Sequence, residues 1–325
     1  MTMVAVLGLG RMGSAMARAL AASGDGGDLV LHNRTPGRAR ELAAELGARV
    51  AGTPAEAAAE ADVAITMLAD GAAVASVWDG EDGLLAGAHD GGVLVDMSTV
   101  PPDTLPPYAE RAAAAGAGVL DAPVSGSVAL AESGTLTIMA GGDAAALDRA
   151  RPVLDRLSQK VFHMGALGSG HAMKLAVNGV IFAINNAVSE ALVLAERAGI
   201  EREDAYEVIA SGAAGAPFVG YKRDAFIGPD TAPVGFSLDL AAKDLELITA
   251  FADVLGVPMP LAVVSRHVIG EAARAVGGDR DFSAVAVHLR AGAGEGRTTD
   301  SSPRSGSVPS RTDSPVLQKG TPSRD

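Results

Sequence analysis

Apolar positions recur in two rhythms along the chain, and the change from one to the other divides it. In the first half, short β-branched and aliphatic runs alternate with Ala-rich stretches whose apolar positions repeat at helical spacing. Met3–Leu7 predicts a buried strand, Arg11–Ala22 a helix, Leu29–His32 a second strand and Pro36–Leu46 a second helix. Thr35 stands at the N-cap position of that second helix and Pro36 at its first residue. The strand pattern returns at Asp62–Met67, Gly92–Asp96 and Gly118–Asp121, and then at Thr135–Ala140 and Lys160–His163 around a helix over Asp143–Leu157. Alternation of this kind predicts an α/β Rossmann-like domain over residues 1–165, a parallel sheet with helices on both faces.

Beyond Gly165–Gly168 the strand rhythm stops. One long helix is expected over Ser169–Ala198, ended by Gly199, followed by helices over Glu203–Ser211, Asp239–Leu255 and Leu261–Ala275. These form an all-α C-terminal domain, residues 166–291, with the long helix as the spine between domains. The stretch 292–325 is rich in Gly, Ser, Thr, Pro and Arg and has few large apolar residues. Too little of it can be buried to offset its ordering entropy, so it is expected to be a disordered tail.

The 325 residues suit two domains. A formal net charge of −13 opposes binding to nucleic acid or anionic lipid. The absence of Cys removes disulfides, thiolate metal sites and a Cys nucleophile. The first residues lack a basic leader. The most apolar stretch, Ala172–Ala195, is interrupted by Lys174, Asn178, Asn185, Asn186 and Glu190, short of the ~20 residues that span a bilayer. A soluble cytoplasmic protein is expected, with no nucleic-acid or membrane partner. No His/Asp/Glu cluster has metal-ligand spacing.

Gly8-Leu9-Gly10-Arg11-Met12-Gly13 joins the first strand to the first helix. In such a turn the first Gly permits the bend, the second admits a pyrophosphate and the third lets helix and strand pack closely. An NAD-binding domain places an acid near the end of the second strand, against the ribose. Here that strand ends in His32-Asn33-Arg34-Thr35. Arg34 would attract a 2′-phosphate, and Asn33 and Thr35 can donate hydrogen bonds to it, which favours NADP (NADPH) over NAD. Read blandly, Arg34 is a solvated loop residue and Thr35 only a cap.

Ser125-Gly126-Ser127 precedes a short helical stretch, Val128–Ala131, and is either an anion site for a substrate carboxylate or a Ser-capped helix. On the long helix, His171, Lys174, Asn178, Asn185 and Ser189 fall along one face. A Lys on so apolar a helix needs a partner, neutralisation or a cleft; the other reading is a wetted stripe on an amphipathic helix. Asp239 and Lys243, four apart, could form a surface ion pair worth little.

Four motifs in order give a resemblance to the β-hydroxyacid dehydrogenase family over residues 1 to about 290: Gly8–Gly13, Asp121–Gly142, Gly168–Asn178 and Lys243-Asp244-Leu245. The resemblance implies a Rossmann-like domain joined to a helical one, assembled as a homodimer or homotetramer. It implies Lys174 as catalytic acid/base and Asn178 as its substrate-orienting partner. It implies Ser125, Gly126 and Ser127 at the carboxylate of a small substrate, and Thr99 and Lys243 beside the cofactor. Within the family, Asn33-Arg34-Thr35 and Ser125–Ser127 look most like NADPH-dependent glyoxylate/succinic semialdehyde reductases. Many 3-hydroxyisobutyrate dehydrogenases carry Gly where Ser127 stands. Two alternatives are an imine reductase on the same scaffold, which usually lacks a Lys at the position of Lys174, and a non-catalytic dinucleotide-binding interaction protein.

Overall fold

The structure, a computed structural model, describes residues 2–24 and 28–294. Among them are nine strands: β1 (Val4–Leu7), β2 (Leu29–His32), β3 (Arg49–Val50), β4 (Val63–Thr66), β5 (Val93–Asp96), β6 (Gly118–Asp121), β7 (Val124–Ser125), β8 (Leu136–Gly142) and β9 (Ser158–Gly165). They form one sheet in the order β3-β2-β1-β4-β5-β6-β8-β7, with β9 paired to β8. From β3 to β6 all pairs are parallel, which is the Rossmann-like arrangement.

The parallel run ends at β6, so the expected sheet is parallel only in its larger part. β8 runs antiparallel to both β6 and β7. A parallel return needs a crossover of a dozen or more residues. Between β7 and β8 the chain offers only a tight segment containing the five-residue helix Val128–Glu132.

Strand residues alternate between two cores, as the period-two pleat requires. Val4 and Val6 pack with Met16, Leu20 and Leu42 on one face, while Ala5 and Leu7 pack with Trp78, Leu84 and Leu105 on the other. Both faces are covered, which is why β1, β4 and β5 are buried throughout. The register aligns Leu7, His32, Thr66, Asp96 and Asp121 along the C-terminal edge. Thr66, Asp96 and Asp121 are fully buried there. In open α/β sheets that edge faces the ligand crevice.

The helix Ser169–Arg197 leaves this edge. Asp121 Oδ1 accepts the Gly168 N–H and Oδ2 the His171 N–H, each at 2.7 Å. The approach is so close that a Cβ at Gly170 would lie 2.2 Å from the Met139 carbonyl oxygen. Further along, Leu175, Phe182 and Leu192 join a third core with Tyr206, Phe218, Phe226, Leu245 and Ile269. By its length and by an 18-residue window of mean hydropathy 1.5 this helix could cross a bilayer, contrary to the expectation that no stretch was long enough. Of its five interruptions only Lys174 and Glu190 are charged, and the Val, Ile and Leu around the three Asn outweigh them. In the fold it is a core helix, with half of its most apolar window buried.

The last helix, Val285–Gly294, takes in the first three residues of the expected tail; 295–325 lie outside the described residues.

Asp121→Ala would leave two buried peptide N–H groups without an acceptor, a loss of about 1–3 kcal/mol each. The melting temperature is expected to fall by about 5 °C or more, with Asp121→Asn, which keeps one acceptor oxygen, falling less. An unchanged melting curve for Asp121→Ala would show that this junction does not hold the helix to the sheet.

Candidate active site

The three glycines of the first turn stand in different surroundings. Gly8 has φ +93°, and a Cβ there would sit 2.4 Å from the Met67 carbonyl oxygen. A Cβ on Gly13 would sit 2.0 Å from the Gly8 carbonyl oxygen. Nothing lies within 4 Å of where a Cβ on Gly10 would be. The outer two are therefore demanded by the fold, while the middle one borders open space. That space lies at the start of the helix Arg11–Ala22, which has neither a side-chain cap nor an acid in its first turn. Free N–H groups and positive dipole charge fit the pyrophosphate of a dinucleotide.

Asn33 supports this turn rather than pointing away from it. Its Oδ1 accepts the Leu9 N–H at 3.0 Å and its Nδ2 donates to the Thr35 carbonyl at 3.2 Å. The Leu9 N–H is thus engaged within the protein, and its side chain lies in the core. Thr35 occupies the cap position of the helix Pro36–Leu46, but its hydroxyl makes no capping bond. The expected side-chain cap is absent because the hydroxyl accepts nothing, which leaves the first-turn N–H groups open. Arg34 and Thr35 are exposed.

Two adjoining cavities lie between sheet edge and helices. The larger, of 560 Å³, runs along Gly10, Arg11, Met12 and Gly13 to Thr99 and Lys243. The smaller, of 240 Å³, is lined by Ser125, Gly126, Ser127 and Asn178. Lys174 borders both. Gly8, Leu9, Asn33, Arg34 and Thr35 border neither; the last three follow the end of β2, which places them beyond the turn.

Lys174 is partly covered because it faces the cavities, but its ammonium lies deep in the protein. Desolvation pushes it down to about 8, Lys243 pushes the same way, and the carboxylate of Asp244 opposes both. Asp244 was given no role by the sequence reading. It is 1 % exposed, and its Oδ2 accepts the Asn178 Nδ2–H at 2.7 Å. The Lys243 ammonium lies 3.0 Å from its Oδ1, an ion-pair contact without hydrogen-bond alignment. Burial pushes Asp244 above the usual carboxylate range, against the pull of Lys243, Lys174 and Asn178. Its signal was available: Ala241, Asp244, Leu245 and Ile248 form the buried stripe of the helix Leu238–Leu255, and an acid there has to be paired.

The local ion-pair reading of Lys243 is corrected. It does not pair with Asp239; it donates to the carbonyls of Ala69 at 3.0 Å and Thr99 at 2.8 Å, spanning from the helical region to the sheet edge.

Ser127 caps the helix Val128–Glu132, accepting the Leu130 N–H at 3.3 Å. Its hydroxyl hydrogen remains available, so capping and cavity lining coexist. The polar face of the long helix is divided. Only Lys174 and Asn178 reach the cavities. His171 is fully buried with its Nε2 3.2 Å from Asp96 Oδ2, Asn185 donates to the Phe282 carbonyl at 3.1 Å, and Ser189 is buried. The wetted-stripe reading fails, because this face turns inward along the whole helix.

Residues 3–165 match the family model for the NAD-binding domain of 6-phosphogluconate dehydrogenase. Residues 168–289 match that for the NAD-binding part of NADP-dependent 3-hydroxyisobutyrate dehydrogenase. The chain is 36 % identical to glyoxylate/succinic semialdehyde reductase 1 of Arabidopsis thaliana, over 87 % of this chain and 96 % of that one. It is 35 % identical to 3-sulfolactaldehyde reductase of Escherichia coli, over 90 % and 98 %. The solved structure of Mycobacterium tuberculosis 3-hydroxyisobutyrate dehydrogenase with L-serine superposes with a TM-score of 0.77 at 36 % identity, covering 89 % of this chain and 99 % of that one.

The glycine surroundings give opposite expectations for two alanine substitutions. Gly13→Ala should lose several kcal/mol of stability, since neither backbone can yield. Gly10→Ala should melt within about 2 °C of the parent while weakening NADPH binding about tenfold or more, because its methyl occupies the pyrophosphate's approach. Melting curves with and without NADPH check both. A Gly10→Ala protein that binds NADPH normally would contradict the site.

Proposed function

We propose a function from one premise: the chain belongs to the β-hydroxyacid dehydrogenase family, of the 3-hydroxyisobutyrate dehydrogenase type. It is an oxidoreductase that interconverts a small hydroxyacid and its semialdehyde or oxo acid, of the 3-hydroxyisobutyrate dehydrogenase or glyoxylate/succinic semialdehyde reductase type. A nicotinamide dinucleotide, when bound, would supply or accept the hydride. The observation that carries the reading is the half-covered Lys174, lowered to about 8, on the wall shared by two cavities.

The larger cavity holds the cofactor. Gly10 to Gly13 would receive the pyrophosphate, and Thr99 and Lys243 also line this cavity. NADP is the preferred form. Arg34 follows β2 with no acid beside it, and Arg38 stands one turn later at the start of an uncapped helix with no first-turn acid. Both charges favour a 2′-phosphate. The smaller cavity holds the substrate, with its carboxylate on Ser125, Gly126 and Ser127.

Lys174 handles the proton. In reduction its ammonium donates to the carbonyl oxygen; in oxidation its neutral amine takes the proton from the hydroxyl. Asn178 donates to Asp244 at 2.7 Å, which fixes its amide and leaves the amide oxygen for substrate. Desolvation lowers the proton affinity of the amine and Asp244 limits the fall, so both forms exist near pH 8.

The protein works in the cytoplasm as a homodimer or homotetramer. Exposed apolar side chains on the helices, Leu194, Val254 and Leu261 among them, support assembly through this region.

Three experiments test the assignment. Lys174→Ala should lower kcat by about 10²–10⁴-fold with little change in NADPH affinity, and Lys174→Arg should also be poor because guanidinium does not release its proton. In the wild type, reduction should slow as pH rises through about 8 and oxidation should speed up over the same range. Near-normal kcat in Lys174→Ala would move the proton donor elsewhere. Separately, kcat/KM should favour NADPH over NADH, and Arg34→Asp should reverse the preference; equal use by the wild type would overturn the NADP assignment.

A further inference from the structure

Building on the hydroxyacid reading, we infer that the smaller cavity selects a substrate with a single carboxylate and a bulky uncharged apolar substituent, aryl or branched alkyl, over one carrying a second anion.

The chain has seven Phe and three Tyr in 325 residues. Four of those Phe and one Tyr line this one cavity: Phe182, Phe218, Phe236, Phe282 and Tyr221. They form a continuous wall. Phe236 meets Phe182 at 6.1 Å and Phe282 at 5.7 Å between ring centroids. Phe218 meets Phe282 at 5.8 Å and Tyr221 at 5.6 Å. The two cores of the sheet are packed mostly with Ala, Val and Leu, whereas Phe182, Phe218 and Phe282 belong to the third core and border this cavity from it. Rings with alternating edge and face contacts are suited to receiving another ring. The volume of 240 Å³ exceeds the ~150 Å³ of a cavity that holds benzene. Phe182, Phe218 and Phe282 are largely packed by protein, and a substrate that is little more than a carboxylate and a carbonyl leaves the more open rings, Phe236 and Tyr221, uncovered.

Charge separates the two ends. The polar end has Lys174, Asn178 and the Ser125–Ser127 turn. Among the described residues lining the aromatic end, the cation is Lys222, and it is already engaged. Its Nζ donates to both carboxylate oxygens of Asp281 at 2.7 Å and lies 4.5 Å from the Phe282 ring centroid. Asp281 in turn accepts the N–H groups of Gly235, Phe236 and Ser283. Releasing Lys222 for a ligand would strand a carboxylate that is 2 % exposed. Asp224, also on the lining, adds negative charge. A second carboxylate or a sulfonate reaching this end would be desolvated with no free cation to meet it.

The test is calorimetric binding of three unreactive carboxylates to the NADP-loaded enzyme: propanoate, 3-phenylpropanoate and succinate. The expected order places 3-phenylpropanoate about tenfold or more tighter than propanoate, with succinate no tighter than propanoate. Tyr221→Ala and Phe218→Leu should reduce the phenyl advantage at least about threefold and leave propanoate unchanged. Succinate binding tightest, or no gain from the phenyl group, overturns the inference. Turnover is measured in parallel with 3-hydroxypropanoate and 2-benzyl-3-hydroxypropanoate. Turnover of the first without the second leaves the hydroxyacid reading intact and overturns the inference. Turnover of neither, with the binding order as expected, overturns the hydroxyacid reading and supports the cavity's selectivity.

Discussion

Two peptide N–H groups at the start of the helix Ser169–Arg197 end on one buried carboxylate, Asp121, at the C-terminal edge of the sheet. That junction sets the origin of the helix, and the 1.5 Å rise and 3.6-residue turn then fix everything on it. His171, within the first turn, lies against the sheet beside Asp96. Lys174, one turn on, emerges between the two cavities. Asn178, a further turn along, reaches the smaller cavity and Asp244. A shift of one residue at the junction would turn Lys174 about 100° away from the cleft. The lack of room for a Cβ at Gly170 belongs to the same constraint, since a wider helix could not seat there.

Asp244 does for charge what Asp121 does for position. It answers Lys174, Lys243 and Asn178 together, from a place with almost no solvent. One buried carboxylate cannot fully compensate two ammonium groups. Lys243 has further acceptors in two carbonyls of the sheet edge, whereas no such bond holds Lys174. Burial weakens the Lys174 ammonium, to about 8; Asp244 offsets part of that and Lys243 adds a smaller push downward. Lys243, by reaching those carbonyls, also ties the helical region to the loops that follow β4 and β5. The same cation thus contributes to interdomain geometry and to proton affinity at the cleft.

Much of this fold was readable because Gly and Pro punctuate it. Arg11–Ala22, Pro36–Leu46, Leu29–His32 and Gly118–Asp121 occur as the pattern predicted. The two-residue strand β7 and the five-residue helices Pro217–Tyr221 and Arg223–Ile227 were not predicted. Elements that short carry no period of their own and exist because tertiary packing holds them, as Phe218 and Phe226 do through ring contacts. The site was legible in part for a similar reason. Spacing puts His171 and Lys174 on one face, but it cannot say that the face begins against a sheet and opens onto a cavity one turn later. Lys243 illustrates the limit most plainly: sequence proximity offered Asp239, while besides its neighbour Asp244 its hydrogen-bond acceptors are 144 and 174 residues away.

The central claim is that the protein itself lowers the proton affinity of Lys174, through a desolvation that the Asp244 carboxylate offsets only in part. The direct measurement is the titration of the Lys174 ammonium in the wild-type protein by NMR of a lysine-labelled sample, assigned by comparison with Lys174→Arg. A midpoint near 8 is the result this structure requires. A midpoint at the ordinary lysine value, about 10.4, would contradict it.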